Sequence, residues 1–178
     1  MQAMLLSILG LALLGALHVQ NSIPVQADFQ QDKLAGRWYS IGLASNSNWF
    51  KDKKHLLKMC TTDIAVTADG NMEVTSIYSQ PEECKKIMML FQQSGQAGHY
   101  IGTEKGEKRD LRVMDTDYEH YAIVYSQQKD SQEPSTMLQL YSRSREVSPT
   151  AMAIFRKLAR ERNYTDEMVA VLPSQGEC

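Results

Sequence analysis

Short runs of alternating apolar and polar residues fill most of the chain after residue 36, and they predict β-strands. The predicted strands are Arg37–Ser45, Cys60–Thr67, Met72–Ser79, Lys86–Gln92, His99–Thr103, Asp110–Asp115, His120–Ser126 and Thr136–Arg143. Clusters of Gly, Pro, Asp or Ser separate these runs, and the segment Ala68–Asn71 is typical of a hairpin turn. Eight strands with short connections favour an all-β fold, an eight-stranded antiparallel up-and-down barrel with room for one small ligand.

A change of period after the strands predicts one C-terminal α-helix. Ser148 suits the N-cap, Pro149 suits the first helical position, and apolar residues recur every three to four positions up to Arg162. We expect the apolar stripe of this helix to pack against the side of the barrel. The segment Met168–Leu172 predicts a last short strand, and the Asn-, Ser- and Lys-rich stretch before Cys60 predicts a loop.

Composition narrows the classes of partner. The chain has 178 residues with a net charge of −2, which favours one domain and gives no electrostatic case for nucleic acid or an anionic membrane. The histidines have no spacing that indicates a metal or a catalytic triad, so no metal site is predicted. We expect a monomer with no bound cofactor.

The N-terminal residues predict secretion. The run from Met4 to Leu17 is apolar and uncharged, and it is too short for a comfortable transmembrane helix. We therefore predict a signal peptide at residues 1–21, cleaved somewhere between His18 and Ala27, and a single domain at residues 28–178. The mature chain would have no transmembrane segment and would leave the cell through the endoplasmic reticulum and Golgi.

Secretion changes the interpretation of the three cysteines, because an oxidising compartment pairs most of them. Cys84 and Cys178 both lie in polar contexts, whereas Cys60 follows the apolar patch HLLKM. These contexts favour a Cys84–Cys178 disulfide and a free thiol at Cys60. Secretion also makes Asn163-Tyr164-Thr165 an acceptor sequon for N-glycosylation, although Asn163 is nearly as well suited to be an unglycosylated helix C-cap.

Three short motifs resemble those of the lipocalin family. They are Gly36-Arg37-Trp38 at the first strand, Thr116-Asp117-Tyr118 before a late turn, and Leu140-Tyr141-Ser142-Arg143 at the end of the eighth strand. The resemblance implies that Trp38 closes the floor of the barrel and that Arg143 packs across it. Both residues would then be structural, because a guanidinium can stack on an indole while it binds nearby carbonyls.

The stretch from Phe29 to Cys178 resembles the prostaglandin D synthase branch of this family, including the Met59-Cys60 pair. That resemblance implies that a thiolate at Cys60 isomerises prostaglandin H2 to prostaglandin D2, and that the same cavity carries retinoids, fatty acids and similar lipids. The rearrangement is redox-neutral, so it needs no bound cofactor, although an external thiol such as glutathione would support turnover.

The same resemblance implies which residues serve the thiol and the ligand. The hydroxyl groups that would hydrogen-bond the thiolate belong to Ser40, Thr62 and Ser76. The ligand-contacting aromatic residues would be Trp49, Tyr141 and Tyr100. Lys54 is the nearest candidate cation, either to favour the thiolate or to bind a substrate carboxylate.

Two other functions stay open from the sequence. The first is a pure carrier of fatty acids, retinoids or similar lipids in which Cys60 is incidental. The second is a siderophore binder, which needs cations in the cavity. The resemblance to the siderophore-binding branch of the family implies three positions for these cations, and all three are uncharged here: Met89, Gln128 and Met137. Arg112 and Lys86 would keep this second function possible if their side chains pointed inward.

Overall fold

A computed structural model describes residues 22–80, 83–104, 106–129 and 131–174. The strands are β1 Gly36–Ser45, β2 Thr61–Val66, β3 Met72–Gln80, β4 Glu83–Gln93, β5 His99–Glu104, β6 Glu107–Thr116, β7 Tyr121–Gln128, β8 Ser135–Ser142 and β9 Val169–Val171. The helices are α1 Gln31–Leu34, α2 Asn48–Lys53 and α3 Pro149–Glu161, with single 3-10 turns at Lys54–Leu56 and Asp166–Met168.

The first eight strands form a closed antiparallel barrel. Each strand from β2 to β7 pairs with the next one in sequence, and β1 pairs with both β8 and β2, which closes the sheet. The short strand β9, residues 169–171, pairs with residues 42–44 of β1, on the edge opposite β8 and beyond the residues that pair with β2. The predicted up-and-down barrel and the predicted final strand are therefore confirmed.

The two ends of the barrel differ. At one end, the N-terminal segment and α1 cover the hairpin turns, with Gln31 Nε2 donating to Gly70 O at 2.7 Å and the backbone N–H of Gln30 donating to the Tyr118 hydroxyl at 3.0 Å. Since β1 runs away from α1, the long β1–β2 connection, which contains α2, lies at the opposite end. We call the covered end the floor and the opposite end the mouth.

Helix α3 packs on the side of the barrel as its apolar stripe predicts. The Ser148 hydroxyl accepts a hydrogen bond from the Ala151 N–H at 3.1 Å, and Pro149 is the first helical residue, so the predicted start is confirmed. Phe155 is fully buried against β1, and a Cβ added at Gly42 would lie 2.9 Å from its ring. The glycine in β1 therefore lets the helix approach the sheet.

The expectation of a single helix was wrong, because α1 and α2 are also present. Helix α2 begins after Ser47, whose hydroxyl accepts a hydrogen bond from the Phe50 N–H at 3.1 Å. Phe50 is its one buried residue, so the sequence contains no repeat of buried apolar positions that would predict this helix. Among the residues that the structure describes, no helix is long and apolar enough to span a membrane. The predicted signal peptide lies outside the described residues.

Candidate functional site

The floor is closed by Trp38 and Arg143. The indole of Trp38 is buried, and its Nε1–H donates to Leu34 O at 2.9 Å. The Arg143 guanidinium carbon lies 3.7 Å from the centre of the Trp38 ring. Burial lowers the pKa of Arg143, but the guanidinium donates to four carbonyl oxygens at 3.0–3.1 Å, those of Lys33, Ala35, Arg37 and Tyr118. One side chain thus joins α1, β1 and the β6–β7 turn.

Gly36 is the residue that allows this contact. Its φ angle is +107°, which side-chain-bearing residues rarely adopt. A Cβ on Gly36 would also lie only 3.0 Å from Nη1 of Arg143. Both the backbone conformation and the lack of space for a Cβ therefore require glycine in the Gly36-Arg37-Trp38 motif.

Above the floor, the inward-facing side chains leave a narrow apolar cavity of about 30 Å³. Its lining comes from α1 and six strands and consists of Leu34, Trp38, Thr62, Ile64, Met72, Val74, Leu111, Val113, Ala122, Val124 and Tyr141. Only Thr62 and Tyr141 bring hydroxyl groups to this lining. A closed lower end with apolar walls suits a hydrocarbon chain better than a polar molecule.

Cys60 and Ser40 are in contact just before β2 begins. The Ser40 hydroxyl oxygen lies 3.0 Å from Cys60 Sγ and accepts a hydrogen bond from the Cys60 backbone N–H at 2.8 Å. Its single proton is therefore available either to the sulfur or to the Cys60 carbonyl oxygen at 3.2 Å. Ser40 is buried and Cys60 is a free thiol that is partly exposed.

Thr62, Ser76 and Tyr141 add three more hydroxyl groups beside the thiol. Thr62 and Ser76 face each other across β2 and β3, with their oxygens 3.3 Å apart. Burial raises the pKa of Tyr141, and the negative charge that Cys60 carries as a thiolate raises it further. Tyr141 therefore stays protonated at neutral pH, and it donates to Gln139 Oε1 at 2.9 Å.

The register of the strands shows which cations face the cavity. In β4, Lys85 has the same orientation as Met89, because alternate residues share a face and Met89 is the strand partner of the lining residue Val74. In β6, Arg109 has the orientation of Leu111, which lines the cavity. Both cations lie toward the mouth, and sequence reasoning missed them.

Lys86 and Arg112 point to the outside of the barrel, so the expectation that they could reach the cavity is wrong. Lys86 lies close enough to Asp63 on the outer face to help lower the pKa of that carboxyl group, whose largest influence is Arg37. Arg112 Nε donates to Asp110 at 3.3 Å, and Asp110 also pairs with His99 at 2.8 Å. The alternation of the strands places each of these residues one position out of phase with the lining.

Three of the predicted ligand-contacting residues lie away from the described cavity lining. Trp49 is on α2 at the mouth with 61% of its surface exposed. The Lys54 ammonium donates to Glu167 O at 2.6 Å, so it is held by the backbone beside β9. Tyr100 is fully buried in the packed floor, where its hydroxyl donates to Gln31 Oε1 at 2.7 Å.

Three further predictions concern a disulfide, a glycosylation site and metal binding. Cys84 is disulfide-bonded, whereas its predicted partner Cys178 lies outside the described residues, so the pairing stays a prediction. Asn163 follows Arg162, the C-cap residue of α3, and it is exposed with a φ angle of +63°, which is typical of the left-handed residue that ends a helix. Its glycosylation stays a prediction. No cluster of potential metal ligands occurs among the described residues.

Sequence comparison identifies the family of this chain and several of its relatives. A sequence model of the lipocalin / cytosolic fatty-acid binding protein family matches residues 35–175. An extracellular fatty acid-binding protein of Gallus gallus is 45% identical over 170 residues, which cover 96% of this chain and 93% of that protein. The prostaglandin-H2 D-isomerase of Equus caballus is 36% identical over 181 residues, with coverage of 96% and 93%.

Solved structures agree with these sequence relatives. A structure described as the siderocalin Ex-FABP, with dual ligand specificities, superposes with a TM-score of 0.74 at 44% identity, covering 82% of this chain and 93% of that one. A second, the siderocalin Q83 with a dual ligand binding mode, gives a TM-score of 0.72 at 41% identity, covering 83% and 94%. The fatty acid-binding relative is thus more similar in sequence to this chain than the isomerase is.

Proposed function

The chain belongs to the lipocalin / cytosolic fatty-acid binding protein family, and from this premise we propose that it is an extracellular carrier of a single-chain lipid such as a fatty acid. The lipocalin resemblance is confirmed at the level of the family. The more specific resemblance to the prostaglandin D synthase branch has weaker support, because identity to the fatty acid-binding protein is 45% and identity to the isomerase is 36%.

The observation that carries this proposal is the shape and polarity of the cavity. Its lower end is closed by Trp38, and its lining consists mostly of aliphatic side chains. A hydrocarbon tail would gain the free energy of apolar burial there, at roughly 25 cal/mol for each Å² removed from water. The polar end of the ligand would then lie toward the mouth.

Arg109 is our candidate for the group that binds the polar end. It is half-buried, and its charge acts on the Tyr141 hydroxyl, so it lies near the upper end of the cavity lining. Glu107, two residues nearer the mouth on the same strand, accepts a hydrogen bond from Gln128. A carboxylate between Arg109 and Tyr141 would meet a fork of N–H donors, and the Tyr141 hydroxyl would turn from Gln139 to donate to it, which makes a suitable site for a fatty acid headgroup.

The carrier proposal is tested by filling the cavity. We expect Val74→Trp to weaken binding of a fluorescent fatty acid by about tenfold or more, because the indole would occupy the space of the tail. Thr75→Trp is the matched control, since Thr75 is the next residue on the same strand and its side chain faces outward. Fluorescence titration measures the binding, and circular dichroism checks the fold. Val74→Phe repeats the test with less crowding. Equal affinity in all of these proteins would contradict the proposal.

A second prediction isolates the headgroup. We expect Arg109→Gln to weaken binding of a fatty acid by about tenfold, which is the loss of one charge-assisted hydrogen bond, and to leave binding of its methyl ester unchanged. Lys108→Gln is the control, because Lys108 is exposed and faces outward on the same strand. Competitive displacement of the fluorescent probe gives both affinities. An equal loss for acid and ester would remove Arg109 from the headgroup site.

The contact between Ser40 and Cys60 favours a second candidate function, the isomerisation of prostaglandin H2. A Cys60 thiolate would attack one peroxide oxygen, forming an S–O bond while the O–O bond breaks and the released alkoxide takes a proton. Loss of the adjacent carbon-bound proton would then expel the thiolate and leave a ketone, so the reaction stays redox-neutral. The Ser40 hydroxyl, 3.0 Å from Sγ, would stabilise the thiolate before and after this cycle.

A further inference from the structure

We propose that the mouth helix, defined as the helical run Asn48–Leu56, docks on anionic phospholipid membranes and inserts Trp49 and Leu56 into the lipid interface. This surface is separate from the cavity, and its partner is a lipid bilayer rather than a single lipid molecule. The proposal goes beyond the carrier function and does not depend on which ligand the cavity holds.

Two large apolar side chains of the mouth helix are turned toward solvent. Trp49 is 61% exposed and Leu56 is 62% exposed. Trp49 lies in the α-helical part of the run and Leu56 in the 3-10 turn that continues it, and both side chains are turned away from the buried Phe50. Tryptophan is favoured at membrane interfaces, because its ring is apolar while its N–H can bind water or headgroups.

The helix is held firmly enough to present that face. Phe50 points to the other side and is 1% exposed, and the Ser47 hydroxyl caps the first turn. The Lys54 ammonium binds Glu167 O at 2.6 Å, which attaches the end of the run to the turn before β9. The apolar pair therefore stands on an anchored element rather than on a loose loop.

Lysines surround the apolar pair. The exposed cations of this segment are Lys51, Lys53 and Lys58, and Asp52 is its one exposed carboxylate. The whole chain has a net charge of −2, so the lysines of this segment form a local excess of positive charge. Basic residues beside interfacial aromatic and leucine side chains are complementary to anionic lipid headgroups.

Two acidic residues outside the run lie on its packed side. Asp166 and Glu167 belong to the turn that Lys54 contacts, and Lys54 is four residues after the buried Phe50, on the same side of the helix. Trp49 and Leu56 lie on a different side. A membrane that approaches the apolar pair would therefore meet the lysines before these carboxylates.

Docking in this orientation would bring the mouth of the barrel against the bilayer. The mouth helix lies at the end where the cavity opens, and the floor with Trp38 and Arg143 lies at the other end. A lipid would then pass between bilayer and cavity without full exposure of its apolar tail to water, which is unfavourable.

The test uses the purified protein, with its N-terminus determined by sequencing, and vesicles of phosphatidylcholine alone or with phosphatidylserine. We expect co-sedimentation with the anionic vesicles that falls as salt rises. Bromine-labelled lipids should quench Trp49, which is exposed, and not Trp38, which is buried. We expect Trp49→Ser combined with Leu56→Ser to lower the partition coefficient at least about tenfold.

Two double variants distinguish binding through the mouth helix from nonspecific binding of exposed apolar side chains. Met88→Ser combined with Leu90→Ser removes similar exposed apolar side chains from the outer wall of β4 and should bind vesicles like the wild type. Lys51→Glu combined with Lys53→Glu should weaken binding to anionic vesicles only. The proposal fails if the wild type does not bind anionic vesicles, if the serine pair on the mouth helix binds equally well, or if bromine-labelled lipids quench neither tryptophan. Fatty acid binding in solution is measured in parallel, so that failure of the carrier proposal is recognised separately.

Discussion

Replacing Trp38 with alanine is expected to lower the free energy of unfolding by about 3–5 kcal/mol, the range found for large aromatic residues removed from a core. Trp38 is 1% exposed and forms part of the cavity lining. Its removal would enlarge the cavity, leave Leu34 O without its 2.9 Å donor, and take away the ring that lies 3.7 Å from the Arg143 guanidinium. Equilibrium unfolding in urea measures the change.

The chain provides a control of the same residue type. Trp49→Ala removes a tryptophan that is 61% exposed, and it should change the free energy of unfolding by less than about 0.5 kcal/mol. Trp38→Phe keeps most of the apolar volume and loses the hydrogen bond to Leu34, so we expect an intermediate loss. If Trp38→Ala and Trp49→Ala were equally stable, the closure of the floor would not depend on the indole.

Replacing Cys60 with alanine is expected to lower prostaglandin H2 isomerisation by about 100-fold or more, if the second candidate function holds, because Cys60 is the one free thiol among the residues that the structure describes. Binding of a fatty acid should change by no more than about 1 kcal/mol, since the sulfur contributes little of the apolar surface. Product formation from prostaglandin H2, with added glutathione, is compared with fluorescence titration of the fatty acid.

Ser40 gives this prediction a graded companion. We expect Ser40→Ala to reduce the rate about tenfold while Cys60 remains, because it removes one hydrogen bond to the thiolate. Wild-type protein that produces prostaglandin D2 no faster than free thiol does, and no faster than Cys60→Ala, would exclude the isomerase function. The carrier function would be unaffected by that result.

Much of the barrel could be predicted from the sequence because its strands are short apolar or alternating runs separated by turn residues. Ser135–Ser142 alternates between buried and less buried residues, whereas Tyr121–Gln128 has five consecutive buried residues, and both strands were predicted to within two residues. Strand β4 was predicted to begin at Lys86 but begins at Glu83. Residues 83–86 are exposed polar side chains whose strand geometry comes from backbone pairing with β3, which leaves no hydrophobic pattern.

The site was less predictable, since it depends on contacts between strands. The proximity of Ser40 to Cys60 was implied only by family resemblance, because these residues are 20 positions apart and β1 changes register between Ser40 and Gly42. The inward orientation of Arg109 depends on the phase of alternation in β6. Its first residues are all polar, so that phase is visible only from Leu111 onward.

The four carbonyl contacts of Arg143 also limit when the floor of the barrel can form during synthesis of the chain. Three of the acceptors belong to Lys33, Ala35 and Arg37, which precede Arg143 by 106–110 positions. Those bonds cannot form until residue 143 has left the ribosome. Residues 33–37 therefore remain without this contact during the time in which the hairpins between β2 and β8 can pair locally. Loop closure over such a separation is entropically costly and slow, and it makes the lower end of the barrel a late-assembled part of the nascent protein.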